Sequence, residues 1–255
     1  MRALGVVAGV LLAGYIAVLA LLFVEQRSLL YFPQYTRDPV VEPDFTLAVE
    51  GATLSGWVLN RGQSRALLFF GGNAQDLSLS LDEVAAWAPA HTVYLVAYRG
   101  FGRSTGEPTE AALMADAIAL FDHVAPRHDS VDVYGRSLGS AVAVQLAALR
   151  PVRRLALITP FDSVRRLASA FYPWVPVGWL LRDHYDSVGR APRLAMPTLV
   201  VIADRDGIIP PAHADALVAA FPTAPEVLRV PGAGHNDVQD FPEYAEALRR
   251  FFAVE

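Results

Sequence analysis

From Phe45 onward, short runs rich in Val, Leu and Ile alternate with helix-like stretches, and this rhythm leaves few architectures open. Phe45–Glu50 and Thr53–Asn60 read as an antiparallel pair joined near Gly51. Ala66–Phe70, Thr92–Tyr98, Val131–Tyr134, Arg154–Thr159, Pro197–Ile202 and Glu226–Val230 read as short buried strands. Helices are expected between them at Leu77–Trp87, Glu110–Val124, Leu138–Leu149, Ala212–Ala220 and Pro242–Phe252. The alternation predicts one α/β domain over residues 28–255, a mostly parallel eight-stranded sheet with helices on both faces. No repeat, linker or low-complexity tract divides it. Residues 160–196 break the rhythm, being far longer than a single connecting helix. If the stretch at about 161–190 is a cap over the site, Phe171, Trp174 and Trp179 are its candidate pocket residues; a packing helix with an aromatic seam is the alternative.

The first residues follow different rules. Leu4 to Val24 is an uncharged run of 21 residues. As a helix it would be about 31 Å long, matching a bilayer core of roughly 30 Å. A cleaved signal peptide usually has a shorter apolar stretch, and no clean A-x-A site closes this one before Glu25. Residues 1–27 are therefore expected to be an uncleaved membrane anchor. Arg2 on one side and Arg27 and Arg37 on the other give only a slight positive-inside signal. If the source is a diderm bacterium, the catalytic domain is expected in the periplasm. Gly5, Gly9, Ala13 and Ala17 recur every four residues, but small residues are common in such helices and the oligomeric state stays open.

Composition narrows the chemistry. Hydrophobic residues make up 53% of the chain, enough to bury a substantial core. A net charge of −5 without a basic run gives no footprint for nucleic acid. There is no cysteine, which excludes thiol nucleophiles and cysteine-ligated zinc. All 21 basic side chains are arginine, which excludes Schiff bases, Ser–Lys dyads and Walker-type phosphate loops.

What remains points to a serine. Val131-Asp-Val-Tyr-Gly135-Arg136-Ser137-Leu138-Gly139-Ser140 sets G-x-S-x-G between a strand and a helix, the pattern of a nucleophile elbow. A serine needs a general base and an orienting carboxylate. Of six histidines, only His235 follows the last strand, on a loop with glycines at 232 and 234. The others suit surface positions better. Asp206, on the loop after the penultimate strand, is the first choice for the acid; Asp204 and then Asp162 are the alternatives. The developing oxyanion needs amide donors. Leu138 would supply one main-chain N–H and Asn73, after Gly71-Gly72, the other. Arg99 and Arg103 in a glycine-rich turn read as structural rather than as an anion site. Such a site requires no metal or organic cofactor.

Gly71-Gly-Asn-Ala74, Tyr98-Arg-Gly-Phe-Gly-Arg-Ser104, the elbow, Tyr172-Pro-Trp-Val-Pro-Val-Gly-Trp-Leu-Leu-Arg-Asp183 and Gly232-Ala-Gly-His-Asn-Asp237 resemble, in that order, the Bem46/ABHD12-13-17-like branch of the α/β-hydrolases, also described as serine aminopeptidase S33-like. The resemblance spans nearly the whole soluble part. It implies an α/β-hydrolase fold with a small cap insertion, a triad on Ser137, Asp206 and His235, and an oxyanion loop around Asn73. It also implies a membrane-attached enzyme acting on acyl esters or thioesters, lipid-like substrates among them. One departure is Gly71-Gly72 where the branch has His-Gly, which leaves the donor geometry open. Amide hydrolysis and acyl transfer would use the same residues. A membrane-tethered binding module without catalysis is the alternative from another class.

Overall fold

In the computed structural model, which describes residues 2–253, the apolar amino terminus forms one helix, α1 (Arg2–Glu25). A window of mean hydropathy 2.7 and the absence of any buried residue make α1 long and apolar enough to cross a membrane. Eight strands follow: β1 (Phe45–Val49), β2 (Ala52–Leu59), β3 (Arg65–Phe70), β4 (His91–Val96), β5 (Ser130–Arg136), β6 (Leu155–Ile158), β7 (Thr198–Ala203) and β8 (Glu226–Val230). The further helices are α2 (Leu81–Trp87), α3 (Glu110–Val124), α4 (Leu138–Ala147), α5 (Val164–Phe171), α6 (Val177–Leu180), α7 (Pro211–Val218) and α8 (Pro242–Ala253).

All eight strands join one sheet in the order β1-β2-β4-β3-β5-β6-β7-β8. The first two pairings, β1 with β2 and β2 with β4, are antiparallel; the rest are parallel. Side chains alternate across the sheet because strand residues point to opposite faces in turn. Ala66, Leu68 and Phe70 of β3 enter one core with residues of α3, α4 and α7. Leu67 and Phe69 enter the other with α2 and α8. On that second face Phe69 stacks on Tyr134 at 4.3 Å, and Trp87 stacks on Phe252. The fold is that of the α/β-hydrolases.

Two local departures from the expected elements stand out. Leu77–Trp87 is not one helix but a 3-10 turn, Leu77–Leu79, followed by α2. The Asp76 carboxylate accepts from the Ser78 amide and hydroxyl at 2.9 and 2.7 Å, which tightens that first turn. The long interval is neither one helix nor structureless; it holds α5, α6 and irregular chain.

The strand order also locates the crevice. After β3 the chain passes to β4 on one side, then crosses back to β5 on the other. At such a switch point the connections leave the carboxyl ends of neighbouring strands in opposite directions, and an open cleft forms there. Ser137 follows β5 at that position.

Candidate active site

Ser137 adopts a φ of +52°, a left-handed conformation that costs a residue with a side chain of order 1–3 kcal/mol. Close packing imposes it. A Cβ on Gly135 would lie 2.3 Å from the Gly139 carbonyl oxygen, and one on Gly139 would lie 2.1 Å from that of Phe70. Only glycine lets β5, β3 and α4 approach so closely. The Ser137 amide donates to the Ile158 carbonyl at 2.9 Å, and the Ser140 hydroxyl donates to the Ser137 carbonyl at 2.6 Å. These bonds offset the strain and fix the hydroxyl above the sheet.

His235 reaches Ser137 from the loop after β8. Its Nε2 lies 3.0 Å from Ser137 Oγ, and its Nδ1 lies 2.6 Å from Asp206 Oδ2. An Nδ1–H donated to the carboxylate leaves Nε2 as an acceptor for the serine proton, the tautomer a general base needs. The other Asp206 oxygen accepts the amides of Ile208 and Ile209 at 2.9 and 2.7 Å. The histidine loop is pinned as well: Arg136 donates to the His235 carbonyl at 3.0 Å, and Gly234 N–H donates to Asp237 at 2.6 Å. All three side chains of the relay are buried. Asp204 is half exposed and faces Arg229. Asp162 bonds His213.

The loop after β3 lies against the serine. A Cβ on Gly72 would come 3.8 Å from that of Ser137. Four bonds hold this loop. Gly72 N–H donates to Gln75 Oε1 at 3.0 Å, and the Tyr98 hydroxyl donates to the Gly71 carbonyl at 2.9 Å. Burial holds the Tyr98 pKa well above its ordinary value, so the phenol stays a donor. Asn73 Nδ2 donates to the Leu30 carbonyl at 2.9 Å, and the Asn73 carbonyl accepts Phe32 N–H at 3.0 Å. Among the described residues, neither the Asn73 nor the Leu138 main-chain N–H donates to protein. At the first turn of α4 such an amide has no partner within the helix.

The cleft over Ser137 and His235 has a volume of about 600 Å³, and its walls include Phe32, Tyr35, Asn73, Arg136, Ile208 and Asn236. Phe171, Trp174 and Trp179, the pocket candidates from sequence, do not line it. They sit on the insertion with Trp179 91% exposed and the other two about half exposed. An aromatic run marks apolar surface but not the side of the fold it faces. The segment just after α1 supplies Phe32 and Tyr35 to the cleft instead, which no sequence motif signals. Gln75 and Tyr98 are also missed by sequence; each lies in or beside a glycine motif that carries the only hint. Two histidines are not at the surface as expected: His91 is buried against Asp132 at 2.8 Å, and His213 is largely covered. Arg99 and Arg103 pair with Asp116 and Glu42, the structural role anticipated for them.

No protein-family model matches the chain. An uncharacterised protein of Mycobacterium tuberculosis H37Rv is 36% identical over 98% of this chain and 95% of its own length. The alpha/beta hydrolase domain-containing protein aho-3 of Caenorhabditis elegans is 35% identical over 74% of this chain and 58% of its own length. Among solved structures, a hydrolase from Pseudomonas aeruginosa superposes with a TM-score of 0.67, at 19% identity, over 82% of this chain and 98% of that one. A Pyrococcus furiosus esterase gives 0.66 at 17% identity, over 86% and 98%. With the eight-stranded sheet and its strand order, these likenesses show that the chain has the α/β-hydrolase fold.

Proposed function

We propose that the chain is a membrane-anchored serine hydrolase that cleaves acyl esters or thioesters through an acyl-enzyme intermediate. The observation that carries this reading is the unbroken relay from Ser137 Oγ through His235 to Asp206. In the first half-reaction Ser137 Oγ attacks the acyl carbonyl while His235 Nε2 takes its proton. Negative charge gathers on the carbonyl oxygen, where the free amides of Asn73 and Leu138 are the donors. Each such donor is worth on the order of 10²–10³ in rate, because it bonds the transition state better than the substrate. His235 then returns the proton to the departing alcohol or thiol. In the second half-reaction it deprotonates a water that attacks the acyl-serine; the acyl–Oγ bond then breaks as His235 returns that proton to Ser137 Oγ, and the acid leaves. Asp206 holds the tautomer and stabilises the imidazolium in both halves.

Two supports come from outside the relay. Phe32, Tyr35 and Ile208 give the cleft apolar walls suited to an acyl group. Helix α1 is of membrane length, which favours substrates presented at a bilayer. Within the superfamily we assign the chain to the Bem46/ABHD12-13-17-like branch, on the motifs it shares in order with that group. In a diderm host the hydrolase domain would face the periplasm, which an alkaline phosphatase fusion reads directly.

A fluorophosphonate probe tests the reading. The wild-type protein should be labelled, Ser137→Ala should not, and a p-nitrophenyl ester series beside a thioester panel should show serine-dependent turnover. No serine-dependent labelling would leave a membrane-tethered binding module in its place.

A further inference from the structure

Helix α1 does not stand clear of the domain. Tyr15, Leu19, Leu22, Phe23 and Gln26 fall on one face of a helix at three- and four-residue spacing, and Leu19, Leu22, Phe23 and Gln26 are partly covered. Residues 174–183 of the insertion run alongside that face in the same direction as α1. Arg27 pairs with Asp183 at 3.0 Å. Gln26 accepts the Arg182 amide at 2.7 Å and donates to the Leu180 carbonyl at 3.2 Å. The Arg182 guanidinium lies over the Phe23 ring at 4.1 Å. Furthest along, the Tyr15 hydroxyl donates to the Trp174 carbonyl at 2.8 Å. Tyr15 is ten residues from Glu25, about 15 Å along the helix at 1.5 Å per residue. Whatever medium surrounds that level of α1 therefore also surrounds Trp174.

The insertion is built for an apolar medium at that level. Residues 171–181 contain no charge, while Arg165, Arg166 and Arg182 flank them. Charged residues thus lie level with the end of α1, where headgroups would be, and the uncharged tip extends past them. Pro173 and Pro176 have no N–H to satisfy, and the amides of Tyr172, Val175, Val177, Trp179 and Leu181 are bonded within the insertion. Each such bond lowers the cost of placing backbone in hydrocarbon, and the Trp174 and Gly178 amides donate to no main-chain acceptor among the described residues. Phe171, Tyr172, Trp174 and Trp179 remain exposed. Between the insertion and α1 runs a groove of about 180 Å³, walled by Leu22 and Leu29 on one side and Ala168, Tyr172, Val175 and Leu180 on the other. Leu30 lines the groove, and its carbonyl holds Asn73 beside the catalytic cleft.

We propose that residues 171–181 enter the same lipid leaflet as α1, and that the groove between them takes the acyl chain of a bilayer lipid, the substrate class of the Ser137 site. The substrate half rests on the serine hydrolase reading; the depth of the insertion does not. Because the chain has no cysteine, single spin labels report depth cleanly. Trp174→Cys and Trp179→Cys would be labelled in the full-length protein in phosphatidylcholine–phosphatidylglycerol nanodiscs. Leu12→Cys serves as the hydrocarbon standard and Glu246→Cys as the water standard. Labels at 174 and 179 should collide with oxygen in preference to a nickel chelate, as at 12. Nickel access at 174 and 179 equal to that at 246 overturns the proposal, and so does equally high access at 12. Trp179→Glu should lower hydrolysis of a vesicle-embedded lysophospholipid at least tenfold, with soluble p-nitrophenyl acetate turnover within twofold. An unchanged vesicle rate, or equal loss on both substrates, overturns the leaflet route. Absent fluorophosphonate labelling of the wild type sinks the Ser137 reading instead, and the label depths still decide the insertion.

Discussion

Two buried aspartate–histidine pairs stand near the carboxyl edge of the sheet, and they differ in everything except the pair. His213 Nδ1 lies 2.9 Å from Asp162 Oδ1, and His235 Nδ1 lies 2.6 Å from Asp206 Oδ2. Asp162 also meets the Arg166 guanidinium at 3.4 Å, and its Oδ1 accepts the Ser163 amide as well. Asp206 has no guanidinium beside it among the described residues; its second oxygen takes two main-chain amides. A carboxylate already facing a fixed cation has less charge left for an imidazolium, whereas amides orient a carboxylate without neutralising it. The second ring nitrogen separates the pairs further. That of His235 meets a serine held at positive φ, and that of His213 bonds no side chain among the described residues. A third pair, His91 with Asp132, lies at the other end of the strands and adds Arg153 at 2.6 Å. An Asp–His contact therefore does not define a catalytic site; what else loads the carboxylate, and what faces the free nitrogen, does.

The sharpest way to break this contrast is one substitution at each carboxylate. Asp206→Asn keeps the shape but forfeits the tautomer, and kcat on a soluble ester should fall by about 10⁴-fold. Asp162→Asn should leave kcat within about twofold and lower the thermal midpoint instead, because it removes a buried structural bond. Comparable losses of turnover from both would put the second pair into the chemistry and end the distinction. The third pair gives the next largest effect, on stability alone. Asp132 is fully buried and takes Arg153 on both oxygens, at 2.9 and 2.6 Å. Removing one partner of a buried ion pair leaves a charge poorly compensated, so Arg153→Ala should cost about 3 kcal/mol in urea denaturation, softened by the His91 bond that remains. The specific activity of the folded fraction should not change.

The sequence makes one side of this contrast readable and hides the other. The elbow is legible because a strained turn between crowded backbones tolerates little but glycine at 135 and 139, and that need leaves a pattern of residues. Asp206 is legible by its place past the strand, and the two following amides that fix it come with the turn. The sheet is legible because its parallel strands are apolar on both faces. His91 and Asp132 are 41 residues apart and meet only because β4 and β5 flank β3, which composition does not encode. The insertion misleads for a related reason. Phe171, Trp174 and Trp179 announce an apolar surface, but which way it faces is set by contacts with α1 such as Tyr15 to Trp174. The strap over the loop after β3 leaves no trace of its contacts there, since Leu30 and Phe32 act through main-chain atoms that every residue has.

That strap supplies the smallest and most discriminating test. Asn73 is joined to it twice, through Nδ2 to the Leu30 carbonyl and through its own carbonyl to Phe32 N–H. Asn73→Ala removes the first bond and keeps the second, and Gln75 and Tyr98 still hold the neighbouring glycines. The proposed donor amide is thus loosened rather than lost, so the fall should be well short of the 10²–10³ expected for deleting an oxyanion donor. About tenfold in kcat is expected, equivalent to about 1.4 kcal/mol of transition-state stabilisation. KM should barely move, because the amide binds charge that exists only in the transition state. A rise in KM with kcat intact would mean that Asn73 shapes the cleft wall and that the oxyanion is held elsewhere. A fall in kcat with KM steady would tie the membrane-proximal strap to the chemistry at Ser137.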